Sequence, residues 1–242
     1  MTEPSPSPGY RHHWGSGQQY SAAFVVLVAL LVTSQLVGGI LGVKLVQVGP
    51  LIFDGALVLF PVSYICGDVI TEVYGYRTAR RAIWLSFACS ALVVLTTAIV
   101  QWLPPAPDWS HQAEFEVILG VVPRLVLASF LANLAGEFVN AGVLSGMKRR
   151  RPGGPLWQRF VGSTVAGQGV NSLIFYVLAF TGTVPFVAVL WALVSSWLFK
   201  SAYETVALPL TYRVVTVVKR IEQLDVVDDD LPSYTPFSLN GR

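Results

Sequence analysis

Charge is what this chain has least of. Lys, Arg, Asp and Glu make up 12% of its 242 residues, hydrophobic residues 53%, and the mean hydropathy is +0.58. A soluble domain carries about a quarter charged residues, so a water-soluble fold is excluded and most of the surface must face lipid. Cysteine is nearly absent too: Cys66 and Cys89 sit in apolar runs and read as small buried hydrophobes, not as a disulfide or metal pair. The three histidines, His12, His13 and His111, lie outside the apolar runs without ligand spacing, so no metal site is expected. A net charge of +2, spread in short basic blocks, gives no footprint for nucleic acid. No GxxxxGK[ST] loop is present, so any use of ATP would need partner proteins. His111, Glu114 and Glu116 form no metalloprotease pattern, no histidine lies at depth to act as a base, and no serine sits in a nucleophile elbow. The chain reads as neither an enzyme nor a cofactor carrier.

What is present is a series of long apolar runs. A spanning helix needs roughly 20 mostly apolar residues, and six segments qualify, near residues 20–43, 50–70, 82–103, 117–146, 161–183 and 186–212. The expected fold is all-α, a compact polytopic bundle of six transmembrane helices over residues 20–217. Residues 1–19 and the acidic stretch 218–242 read as disordered cytoplasmic tails. The first apolar run is long enough to span, so no cleavable signal peptide is expected. Pro61 and Pro209 fall within or near helix ends, where they are expected to bend them. The basic residues cluster after the second span (Arg77, Arg80, Arg81), after the fourth (Lys148 to Arg151, Arg159) and after the sixth (Arg213, Lys219, Arg220). The positive-inside rule then puts both termini in the cytoplasm. No internal repeat supports an inverted-repeat architecture.

Three spans carry polar residues on single helical stripes: Asn133, Glu137 and Asn140; Thr164, Gln168 and Asn171; Trp197, Lys200 and Glu204. At about 1.5 Å per residue, Glu137 lies roughly 14 Å from the cytoplasmic end of its helix, and Gln168 and Asn171 roughly 10–15 Å from the start of theirs. A charge at the bilayer centre costs about 2.5–3.5 kcal/mol on insertion scales, so these groups must be partnered or wet. Two readings stand. One is an ion pair of Lys200 with Glu137 or Glu204 plus amide bonds gluing helices together; the other is a water-accessible binding cavity. Asp68 and Glu72, one turn apart at the end of the second span, likewise read either as carboxylates neutralised by Arg77, Arg80 or Arg81, or as a gate or ion-coupling pair. Gly38–Gly42 and Gly142–Gly146 have GxxxG spacing, a weak packing signal.

The run from Phe60-Pro61-Val62-Ser63-Tyr64 through Gly67-Asp68 and Glu72 to Arg80-Arg81 resembles the hallmark of the queuosine precursor transporter family, also called the vitamin uptake transporter family. Ala128-Ser129-Phe130 through Gly136-Glu137-Phe138-Val139-Asn140, Gly162 to Gln168, Phe199-Lys200 to Glu204, Pro209 to Tyr212 and Asp225 are similar to the same family, so the likeness covers about residues 20–228. It implies an inner-membrane importer of 7-cyano-7-deazaguanine, its aminomethyl form or queuine. A deazaguanine presents a ring N–H beside an exocyclic amine, which a carboxylate accepts in bidentate fashion. Glu137 is the candidate acceptor, with Asn133 and Asn140 on its stripe. Gln168, Asn171 or Lys200 are candidate donors to the ring carbonyl, and Trp197, Phe175 or Tyr64 are candidate stacking surfaces. The family pattern often has Asp where this chain has Asn171, which keeps hydrogen bonding and loses charge. An alternative within the same size range is the substrate-binding subunit of an energy-coupling-factor vitamin importer. Oligomeric state, coupling subunits and driving force are not encoded in any of these motifs.

Overall fold

The computed structural model describes residues 21–42, 44–48, 51–119, 123–182 and 185–227. Among them are seven α-helices: α1 (Ala22–Leu41), α2 (Phe60–Tyr74), α3 (Tyr76–Trp102), α4 (Gln112–Leu119), α5 (Pro123–Arg150), α6 (Leu156–Phe180) and α7 (Phe186–Glu222). Between α1 and α2 lie an antiparallel hairpin, β1 (Leu45–Val48) and β2 (Leu51–Asp54), and one 3-10 turn, Gly55–Val58. The hairpin departs from the all-helical expectation, in the segment expected to open the second span.

Four helices, in α1, α3, α5 and α6, are long and apolar enough to cross a membrane. Their outward faces carry residues such as Val26, Leu30, Leu92, Leu95, Ile99, Leu131 and Leu173, all exposed. This inside-out pattern needs lipid as solvent, and the chain is a membrane protein. Exposed tryptophans sit near helix ends, Trp102 at the end of α3 and Trp109 after it, Trp157 at the start of α6 and Trp191 near the start of α7. Such rings favour the membrane–water interface.

The second expected span is corrected most. Its helix begins at Phe60, where Pro61 occupies the first turn and costs no hydrogen bond, so it bends nothing. With 15 residues α2 is about 22 Å long, too short to cross a hydrocarbon core of about 30 Å. From Ser63 to Tyr74 nearly every residue is buried, because α1, α3, α5 and α7 all pack around it. A helix buried on all sides can carry carboxylates that a lipid-facing one cannot. Gly75, at φ 81°, ends α2 and starts α3 with no intervening loop; this backbone conformation suits glycine.

α5 and α6 pack most closely. A Cβ on Gly136 would lie 2.9 Å from the Asn171 Cβ, and one on Gly167 would lie 2.8 Å from the Asn140 Cβ. These two glycines, not the GxxxG pairs, bring the α5 and α6 polar stripes into register. Gly38 and Gly42 instead face the Ala56 methyl. α7 runs 37 residues to Glu222, with Pro209 in its interior, leaving the Thr205 carbonyl without its helical donor. The stretch assigned to a tail from residue 218 thus begins as helix, and Leu224 and Val226 then fold back on α2.

Candidate functional site

Two polar clusters share α2. The first lies inside the bundle. Asp68, 2% exposed, accepts from Asn140 Nδ2 at 2.8 Å. Glu137, one turn before Asn140 on α5, accepts from Gln35 of α1 at 3.4 Å, and its other oxygen faces Gly67, where a Cβ would lie 3.5 Å away. Glu204 of α7 accepts from the Thr164 hydroxyl of α6. Asn171 links three helices, donating to Asn133 Oδ1 at 2.8 Å and accepting from Lys200 Nζ at 3.2 Å. Gln168 is 0% exposed and pairs loosely with the Tyr64 phenol; among the described residues neither amide atom makes a further hydrogen bond. An amide can make up to four, so Gln168 keeps donors and acceptors unused. Asp68, Glu137 and Glu204 are near enough to feel one another's charge, and Tyr64 feels all three.

The structure therefore gathers Asp68, Glu137, Asn140, Gln168, Asn171 and Glu204, from α2, α5, α6 and α7, into one buried polar region, to which Asn171 joins the half-buried Lys200 and the exposed Asn133. Beside Glu137 and Asn140 is a cavity of about 10 Å³, walled by Leu31, Gly67, Ile70 and Thr71 among others. That is room for about one water and too small for a bicyclic base. Trp197 points elsewhere: its indole N–H donates to the Val165 carbonyl at 2.9 Å, and the ring covers Gly169. Gln35, a lone amide in the middle of the apolar α1, went unnoticed among the candidates, although a Gln in a spanning run is itself a signal.

The second cluster lies at the basic end. Glu72, 0% exposed, meets Lys219 Nζ at 2.8 Å, Arg159 Nη2 at 3.0 Å and Lys148 Nζ at 3.8 Å. Lys148 also donates to the Glu72 backbone carbonyl, to Asp225 and, at 2.7 Å, to the Val226 carbonyl. Asp225 meets Lys219 at 2.9 Å, and the Val226 amide donates to the Val73 carbonyl at 3.0 Å. Burial pushes the Asp225 carboxyl up, but Lys148 and Lys219 outweigh it and hold it below the ordinary carboxylate value. The expected partners of Glu72 are corrected here: distant cations from α5, α6 and α7 neutralise it, while Arg80 lies over the Tyr76 ring. Asp68 and Glu72, adjacent turns of one helix, thus belong to different clusters.

Comparison with known proteins identifies the family. The family described as "Putative vitamin uptake transporter" matches residues 54–214. The "Probable queuosine precursor transporter" of Bacillus subtilis (strain 168) is 32% identical over 169 residues, which span 69% of this chain and 73% of that protein. No solved structure matches. The matched residues contain both clusters except for Lys219, Asp225 and Val226 at the C-terminal end and Gln35 on α1. The chain belongs to the vitamin uptake transporter family and is a membrane transporter, not an enzyme.

Proposed function

We propose that the chain imports a queuosine precursor, a 7-deazaguanine base, across the cytoplasmic membrane. The observation that carries this is the buried Gln168 amide, only loosely paired with Tyr64 and set among carboxylates from three other helices. A deazaguanine edge offers two adjacent donors and one acceptor. Glu137 accepts the ring N–H and exocyclic amine together, and Gln168 or the Asn171–Lys200 pair donates to the ring carbonyl. Tyr64, whose ring lies 4.4 Å from that of Phe60 and tilted 34° to it, offers a face to the bicycle. Asn133 and Asn140 hold Asn171 and Asp68 in place. The name of the Bacillus relative supports this substrate class.

The basic end, where α2, α5 and α7 finish and α3 and α6 begin, faces the cytoplasm in this reading, with both termini there. Six passes then follow, α2 completing its crossing with the 3-10 turn and β2 that precede it. Because the pocket admits about one water when closed, the base enters by separation of the helices, first outward and then inward.

The test is rescue. In a strain unable to make queuosine precursors, the chain should restore queuosine in transfer RNA when one such base is supplied at low concentration. Glu137→Gln should abolish rescue while the protein stays in the membrane, and undiminished rescue by that variant removes Glu137 from the site. Uptake by the purified chain in liposomes should need no ATPase partner, which separates this reading from an energy-coupling-factor subunit.

A further inference from the structure

The buried polar region holds more acid than a neutral base can use. Asp68, Glu137 and Glu204 are all buried, and each feels the charge of another. Their hydrogen-bond donors are neutral: the Asn140 and Gln35 amides and the Thr164 hydroxyl. The titratable and charged groups around them come from few elements. Tyr64 and Glu72 come from α2, and Lys200, one turn before Glu204, from α7. Arg159 of α6 and Lys148 of α5 are held by Glu72, Arg80 of α3 lies over Tyr76, and α1 supplies the neutral Gln35. Counting Lys200 as counter-charge to one carboxylate still leaves two. Two like charges in a dry site exclude one another unless a proton or another cation joins them.

An independent observation points to a ligand here. Beside the loosely paired Gln168, the Oδ1 of Asn140 and the Oε2 of Glu204 are buried and have no hydrogen-bond partner among the described residues. Among the described residues, no three acidic, His or Cys side chains converge closely enough to hold a metal ion, which argues against a site built from three such ligands.

We propose that Asp68, Glu137 and Glu204 share a transported proton and couple inward movement of the base to the transmembrane proton gradient. This rests on the uptake reading above. The proton arrives on a carboxylate oxygen from the outer side, and the donor edge of the base takes the acceptor oxygens of the neighbouring carboxylate. Base and proton can then occupy the pocket together without stacking bare charges, and both leave inward, which regenerates the anionic site.

The test uses the full chain in proteoliposomes with radiolabelled queuine and 7-cyano-7-deazaguanine. With the membrane potential clamped at zero, an inside-alkaline gradient of about one pH unit should concentrate the base about tenfold if one proton travels with it. An inward sodium gradient should not. Asp68→Asn and Glu204→Gln should each lose this accumulation and flatten the pH profile of exchange. Counterflow without any gradient reports base transport alone. Counterflow without proton-driven accumulation overturns the coupling and leaves the uptake reading standing; absence of counterflow overturns both. Infrared difference spectra of the purified protein in lipid, across a pH titration, give a readout independent of substrate. A protonated-carboxyl band should appear and should diminish in Glu204→Gln. Its absence, full gradient dependence in both variants, or sodium-driven accumulation would each overturn the proposal.

Discussion

Glu72→Gln should be among the most damaging single changes in the chain, though it adds no bulk and keeps the side chain's shape. The carboxylate is 0% exposed and faces three cations within 3.8 Å. Removing its charge leaves Lys148, Arg159 and Lys219 against Asp225 alone. Asp225 reaches Lys148 and Lys219, so the buried Arg159 is the group stranded. Breaking a buried pair by deleting one partner costs about 3–5 kcal/mol. At about 2–4 °C per kcal/mol for a chain of this size, the melting temperature should fall by roughly 6–20 °C. Asp225→Asn should cost less, since that side chain is half exposed and water screens what it loses. The double variant Glu72→Gln/Arg159→Gln should recover part of the loss, because the penalty is a lone buried cation. Arg81→Gln, at an exposed position, should do nothing measurable. Thermal unfolding in detergent followed by tryptophan fluorescence gives the order directly. A Glu72→Gln melting point within about 2 °C of wild type, or a larger loss in Asp225→Asn, would refute the reasoning.

Gly167→Ala should force α5 and α6 apart, since its Cβ would lie 2.8 Å from the Asn140 Cβ; overpacking of this kind costs about 1–3 kcal/mol and should lower uptake. Gly39→Ala, with nothing within 4 Å, is the matched control and should leave uptake and melting unchanged. Trp197→Phe should cost about 1 kcal/mol of stability through the lost bond to the Val165 carbonyl and leave the KM for uptake unaltered, which a stacking role would not. Because the Asp225 carboxyl is held low in the folded protein, its contribution is present above the unfolded value of about 4 and lost as pH falls through the lower folded one. Hydrogen exchange at the Val226 amide should therefore show protection at neutral pH that disappears on acidification below about pH 4, and in Asp225→Asn even at neutral pH.

The stripes at Asn133, Glu137 and Asn140 and at Thr164, Gln168 and Asn171 were legible because helical periodicity is a local property: spacing alone says which side chains share a face. Asp68 was visible as an anomaly for the same reason, a carboxylate where an apolar segment should continue. What periodicity cannot give is which face meets which. The sequence pairs Glu72 most readily with Arg77, Arg80 and Arg81, its nearest cations along the chain, yet the direct α2–α3 turn at Gly75 and the packing of α5, α6 and α7 bring Lys148, Arg159 and Lys219 to it from 76 to 147 residues away. The second span was misread for a related reason. Residues 50–59 are as apolar as a helix needs, and hydropathy alone does not distinguish a hairpin and a 3-10 turn from the first turns of a helix. Trp197 shows the limit from the other direction. Its place on the Lys200–Glu204 stripe put it with the polar groups, but stripe membership fixes only an angle around α7. At the same angle, one turn further along, Gly169 opens a space against α6 that the indole fills, and its N–H is spent on the Val165 carbonyl.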